Sequence, residues 1–280
     1  DIYKERKRLG KNLVEKILQA VDHNFEDTVF TYVPNTAEAA FYGLSEELHR
    51  VHNQYKADKI IAAEGAMTPD EIKALMTKQP RIEKLANKDD KLRTFIANLD
   101  SRHEMVSYVY DVTYGIIKNK KDTLVLLDDS IVRGTTLRDS IIRMVGMRLK
   151  PKRIIVVSSA PQIRYPDCYG IDMSKMGDFV AFKALVEILQ EENKEHLLDE
   201  CYDRCKAQMD LPKEQITNEV KKLYDEVSEE AISKRIAKIV SPKDLDIEVD
   251  VIFQSIQGLH EACPNHTGDW YFTGDYPTPG

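Results

Sequence analysis

Cysteine is scarce: Cys168, Cys201, Cys205 and Cys263 are the only four in 280 residues. So small and scattered a set excludes a secreted disulfide scaffold and points to a reducing compartment. Glycine (12) and proline (11) are too few for a collagen-like or low-complexity chain. No apolar run approaches the roughly 18 residues of a membrane span; the densest are Leu124–Leu127 and Ile154–Val157. No membrane partner is therefore expected. Lys and Arg number 40 against 47 Asp and Glu, a net charge of −7. A nucleic-acid partner would need a basic surface, so none is expected either. Any phosphate site must be built locally, from backbone amides and a few cations. Asp1 to Arg8 is mostly charged, so no secretory signal opens the chain, and a cytoplasmic location is the expectation. The chain opens on Asp1 rather than Met, as a fragment or processed product does.

Hydrophobic residues make up 42% of the chain, enough for a real core. Leu13, Ile17 and Leu18 lie at helical spacing. Thr28–Val33 is β-branched and aromatic, and predicts a buried strand. After Pro34 a helix follows, with Ala37, Ala40, Phe41, Leu44, Leu48 and Val51 on one face and a capping box from Asn35 to Glu38. Residues 52–90 are polar and read as an excursion, with Thr68-Pro69-Asp70-Glu71 starting a short helix. Thr123–Leu127 and Arg153–Ser159 are continuous apolar strands, as expected of a parallel sheet covered on both faces. Leu137, Ile141, Ile142 and Val145 mark a helix between them, so the whole is a βαβ unit. Residues 181–244 read as a helical insertion, in which Ile216 to Ile239 fit one long helix. Residues 245–280 form a carboxyl-terminal segment ending in an extended arm. The fold class is α/β, and residues 1–180 carry its core.

The chemistry concentrates in Leu124 to Thr136. Four apolar residues end in two adjacent carboxylates, Asp128 and Asp129. Neighbours at a strand end point different ways, so one carboxylate can face a ligand's hydroxyls and the other a metal's water shell. A short polar turn then brings Gly134-Thr135-Thr136 to the start of a helix. Glycine permits close backbone approach, and the amides behind it sit where a helix favours phosphate. An isolated Asp-Asp-Ser is most often just an acidic turn; this full string between strand and helix is not.

The string resembles the phosphoribosyl-pyrophosphate (PRPP) motif of type I phosphoribosyltransferases. Its Ser130-Ile131-Val132-Arg133-Gly134-Thr135-Thr136 version is similar to that of the glutamine amidophosphoribosyltransferases. Arg93-Thr94-Phe95-Ile96, Ser159-Ala160-Pro161 with Arg164-Tyr165-Pro166, and Phe272-Thr273-Gly274 with Tyr276-Pro277-Thr278 resemble further segments of that family. Tyr32-Val33-Pro34-Asn35-Thr36 sits where the family keeps its pyrophosphate loop. The resemblance covers residues 1–50, 90–180 and 245–280, and implies the type I phosphoribosyltransferase sheet. It also implies roles. Asp128 and Asp129, with Arg93, would be catalytic. Asn35, Thr36, Ser130, Arg133, Gly134, Thr135 and Thr136 would bind substrate, and Thr36, Asp128 and Asp129 would hold Mg²⁺. The activity implied is transfer of the phosphoribosyl group of PRPP to ammonia, the first step of purine synthesis. The ammonia would come from glutamine through a glutaminase domain outside this chain. Purine nucleotides are implied as further small-molecule partners, and a homo-oligomer as the assembly.

Two departures qualify this. The family's flexible loop is rich in Arg and Lys, whereas residues 94–117 hold one Arg, Arg102, and no Lys. That depletion favours the alternative of a catalytically weakened PRPP- or nucleotide-binding protein with a regulatory or assembly role. Where some members place iron–sulfur cysteines, this chain has Asp269-Trp270-Tyr271, so no iron–sulfur cluster is expected. Three weaker metal candidates are set aside. His49 and His52 are expected as exposed helix residues, and Cys201 and Cys205 as buried free thiols. Cys263 with His266 is half a zinc site with no second half in view.

Overall fold

The computed structural model describes residues 1–34, 36–84, 86–88, 110–112, 115–135, 137–167 and 173–276. Seven strands are found among them: β1 (Thr28–Tyr32), β2 (Arg81–Ile82), β3 (Ala86–Lys88), β4 (Tyr110–Val112), β5 (Thr123–Asp128), β6 (Arg153–Ser158) and β7 (Glu248–Phe253). Five form one sheet in the order β2-β1-β5-β6-β7, with every neighbouring pair parallel. β3 and β4 pair separately as an antiparallel ribbon.

The period-two alternation of a strand sorts the core onto two faces. Phe30, Val125, Leu127, Ile155 and Val157 pack on one side, against Leu13, Ile17, Phe41, Leu44 and Leu48. After α1 (Ile2–Lys11), those last residues come from the turn at Leu13, from α2 (Val14–Ala20) and from α3 (Glu38–Ala62). Val29, Leu124, Leu126, Ile154 and Val156 pack on the other side. After α4 (Pro69–Thr77), that second cover is built from a π-helical turn at Leu137–Ile142 running into α5 (Arg143–Leu149), and from α6 (Val180–Glu191), α7 (His196–Ala207), α8 (Val220–Asp225) and α9 (Glu229–Val240). Last come α10 (Ile256–Ala262) and α11 (Trp270–Thr273).

Several expectations change. Residues 181–244 are helical, but they are no appendage: Leu185, Leu189, Ile232, Ile236 and Val240 are fully buried against the second face. A parallel sheet needs both faces covered, and these helices cover one of them. The polar stretch 52–90 contains the end of α3 and also β2, which extends the sheet at its edge. The long helix read across 216–239 is two, because Ser228 breaks it: its side chain accepts a hydrogen bond from the Ala231 amide and caps α9. The tail is not fully extended, since α11 interrupts it and ends at Gly274. His52 is buried rather than exposed, its ring lying 4.6 Å from that of Phe25. Of the helical thiol pair, Cys201 is buried but Cys205 is exposed. Asn35, and with it the expected capping box, lies outside the described residues; the Glu38 carboxylate accepts from the Tyr32 and Tyr42 hydroxyls.

Candidate functional site

β5 lies between β1 and β6 in the middle of the sheet, so its carboxyl end opens where two neighbouring strands also end. Such a strand end is where open α/β sheets bind ligands. Asp128 is the last residue of β5 and stands opposite Ser158 of β6. By alternation its side chain shares the face of Leu124 and Leu126, the face covered by the π-helical turn.

Two tight turns shape the acidic pair. Asp128 Oδ1 accepts from the Asp129 amide at 2.9 Å, and Asp129 Oδ1 accepts from the Ser130 amide at 2.8 Å. Both residues are partly buried. Burial, and then the neighbouring charge of Asp129, push the Asp128 carboxyl up from 3.8 to about 7. The neutral acid is therefore favoured far above its ordinary range until a cation or donor arrives.

Asp128, Ser130, Arg133, Gly134 and Thr135 line one open pocket of about 430 Å³, with Ile131, Val132, Leu137 and Ile141 as its apolar walls. Asp129 is not among its lining residues. Gly134 adopts φ +72°, and a Cβ there would meet Val240 at 3.0 Å and Val180 at 3.3 Å. Both the backbone conformation and the crowding select glycine. The Gly134 carbonyl accepts from the Arg138 amide at 3.0 Å, which leads the loop into the helix. The Val180 amide donates to the Val132 carbonyl at 2.8 Å and holds the loop to α6. Arg133 is exposed, and its guanidinium reaches Asp178 only at 3.9 Å. Its charge is thus largely free for a ligand.

The segment expected to form the pyrophosphate loop follows β1. Val33 donates to the Leu127 carbonyl at 2.8 Å, so the loop from Pro34 starts beside the end of β5. Thr36 is exposed there. Asn35, Arg93 and Thr136 lie outside the described residues, as does most of the segment 94–117. No cluster of three or more metal-ligating side chains occurs among the described residues. A hard, oxygen-only pair such as Asp128 and Asp129 nonetheless fits Mg²⁺, which keeps several of its waters. The raised carboxyl of Asp128 also fits a cation, since a positive neighbour offsets both causes of the shift.

Sequence reasoning missed three contributors. Ser159 binds the backbone of the acidic pair, and Val180 and Val240 wedge Gly134. Ser159 was read only as the end of a buried strand and as part of a segment noted for its resemblance. Val240 comes from the stretch taken for an insertion and Val180 is the last residue before it, and nothing local in their sequence signals the contact. A second cleft, of about 580 Å³, opens between α6, α9 and the π-helical turn. Its walls are largely self-paired, Arg138 with Asp139, Arg143 with Asp244 and Arg235 with Glu187 and Glu191, and no expected site residue lines it.

Comparison with known proteins agrees with this geometry. No family model matches the chain. It is 40% identical to the amidophosphoribosyltransferase of Haemophilus influenzae over 100 residues, which are 35% of this chain and 19% of that protein. It is 28% identical to the amidophosphoribosyltransferase of Lachancea kluyveri over 213 residues, 74% of this chain and 35% of that protein. The solved glutamine PRPP amidotransferase of Bacillus subtilis, complexed with ADP and GMP, superposes with a TM-score of 0.53 at 22% identity, over 99% of this chain and 43% of that one. The chain thus spans less than half the length of these relatives. Among the described residues, no helix is long and apolar enough to cross a membrane. The chain is thus similar in sequence to part of the amidophosphoribosyltransferases, as a divergent and partial-length match, and shares the fold of the solved amidotransferase.

Proposed function

We propose that the chain binds PRPP at the carboxyl end of β5 and transfers its phosphoribosyl group to ammonia, making 5-phosphoribosylamine for purine synthesis. The observation that carries this is the pocket that gathers Asp128, Ser130, Arg133, Gly134 and Thr135 around one space. The amidophosphoribosyltransferase relatives supply the reaction class. Thr135 and the turn behind Gly134 would receive the 5′-phosphate, with Arg133 as its cation. Asp128 and Asp129 would face the ribose hydroxyls and Mg²⁺, with Thr36 as a further metal contact. Bound Mg²⁺ would neutralise charge on the departing pyrophosphate. Ammonia attacks the anomeric carbon as the bond to pyrophosphate breaks, and the resulting ammonium sheds a proton. Positive charge gathers on the sugar in the transition state, and the Asp128–Asp129 pair would stabilise it. Ammonia would come from a glutaminase partner domain, and purine nucleotides would compete for the same pocket.

The composition of residues 94–117 favours a second reading, binding with weak transfer. Cations that meet the leaving group only in a closed state lower the barrier more than they tighten binding. Losing one such donor typically slows turnover by about a hundred- to a thousand-fold. Steady-state pyrophosphate release from PRPP with ammonium and Mg²⁺ separates the readings. Slow release that Asp128→Asn abolishes supports transfer. PRPP binding without release leaves the regulatory or assembly role, and no binding removes both.

A further inference from the structure

β6 ends at Ser158, and the next residue reaches across to the acidic turn. The Ser159 amide donates to the Asp128 carbonyl at 2.9 Å. The Ser159 hydroxyl donates to the Asp129 carbonyl at 3.1 Å, and the Ala160 amide donates to that same carbonyl at 3.1 Å. Ser159 is 6% exposed, so water does not compete for these bonds.

A peptide group is planar, so fixing its carbonyl also fixes its N–H. The peptide between Asp128 and Asp129 has its carbonyl held by Ser159, and its N–H holds Asp128 Oδ1. The peptide between Asp129 and Ser130 has its carbonyl held by Ser159 and Ala160, and its N–H holds Asp129 Oδ1. Each carboxylate therefore hangs from a peptide plane whose other edge is pinned by the loop after β6.

We propose that Ser159 is a positioning residue: through its hydroxyl it sets the peptide plane that aims the Asp129 carboxylate, and so readies the acidic pair for a ribose diol and its metal. Plain satisfaction of a buried carbonyl does not require this hydroxyl, because the Ala160 amide already supplies a donor. The loop is itself held from outside. The Arg164 and Tyr165 amides both donate to the Tyr271 carbonyl of α11, at 2.9 and 3.1 Å, and the Tyr276 hydroxyl donates to Pro166 at 2.6 Å. The functional half of the claim rests on the proposed function.

The test compares Ser159→Ala, Ser159→Thr and Ser158→Ala in the full chain. Ser158 is the control, because its hydroxyl bonds only within its own turn, to the Ala160 carbonyl at 2.8 Å. Amide exchange by NMR reads the Ser130 N–H without ligand, and calorimetry reads PRPP–Mg²⁺ affinity. Ser159→Ala should speed exchange at Ser130 and weaken PRPP affinity, each by about ten-fold, the size of one lost hydrogen bond. Ser159→Thr should restore both, and Ser158→Ala should leave PRPP affinity unchanged. Unchanged exchange in Ser159→Ala, no rescue by threonine, or an equal loss of affinity in Ser158→Ala would overturn the assignment. If the wild type binds no PRPP, the proposed function fails, while the exchange rates still decide the positioning claim.

Discussion

Asp128 sits where a charge is costly. Its carboxyl is raised from 3.8 to about 7, first by burial and then by Asp129. Below about pH 4 it is protonated whether the chain is folded or unfolded, and the cost vanishes. Between about pH 4 and 7 only the unfolded chain ionises, so stability falls as pH rises. Above about pH 7 the full cost applies. Asp128→Asn, measured by calorimetric melting in chelator without ligand, should melt above wild type near pH 8 and with it near pH 4. Asp128→Asn melting below wild type by the same margin at both would contradict this origin of the cost. Gly134 is constrained twice over, by its positive φ and by Val180 and Val240. Gly134→Ala should lower stability by at least about 1–2 kcal/mol in denaturant titrations. The acidic pair and Gly134 were legible because their pattern is local: a strand end, a turn and a helix start. The valines were not, because they meet Gly134 only through tertiary packing.

Elements were legible where one signal dominated. β5 and β6 read as buried parallel strands, and the structure pairs them in register from Thr123 with Arg153 to Asp128 with Ser158. Thr68-Pro69-Asp70-Glu71 announced the start of α4, and the structure shows why: Thr68 and Glu71 form both reciprocal hydrogen bonds of a capping box. At Ser228 two signals competed. The apolar stripe ran on through it, while Ser228-Glu229-Glu230 spelled a helix start. The cap won, since unpaired amides at a helix start need an acceptor and acidic residues there suit the dipole. Ser228→Ala should cost about 1 kcal/mol in a chemical melt. Because α9 carries Val240 against Gly134, the loss should also loosen the pocket. A neutral Ser228→Ala would mean that the packing of α9, not its cap, fixes the break.

For the molecule as a whole, length of resemblance misled. Residues with no recognisable counterpart in the family were read as lying outside the core. Yet the second face of the sheet is sealed by α6 and α9, both drawn from that stretch. Hydrophobic periodicity reports that a helix has a buried face, but not which surface buries it. The charge balance was legible in the same limited way. At −7 it speaks against a broad polyanion surface and leaves room for one local phosphate site. Direct titration of PRPP with Mg²⁺ into the full chain by calorimetry tests that site most closely. One saturable site is expected, weakened at least about ten-fold by Thr135→Val or Asp128→Asn, on the scale of one charge-assisted hydrogen bond. No heat of binding, or binding that both substitutions leave intact, would contradict it.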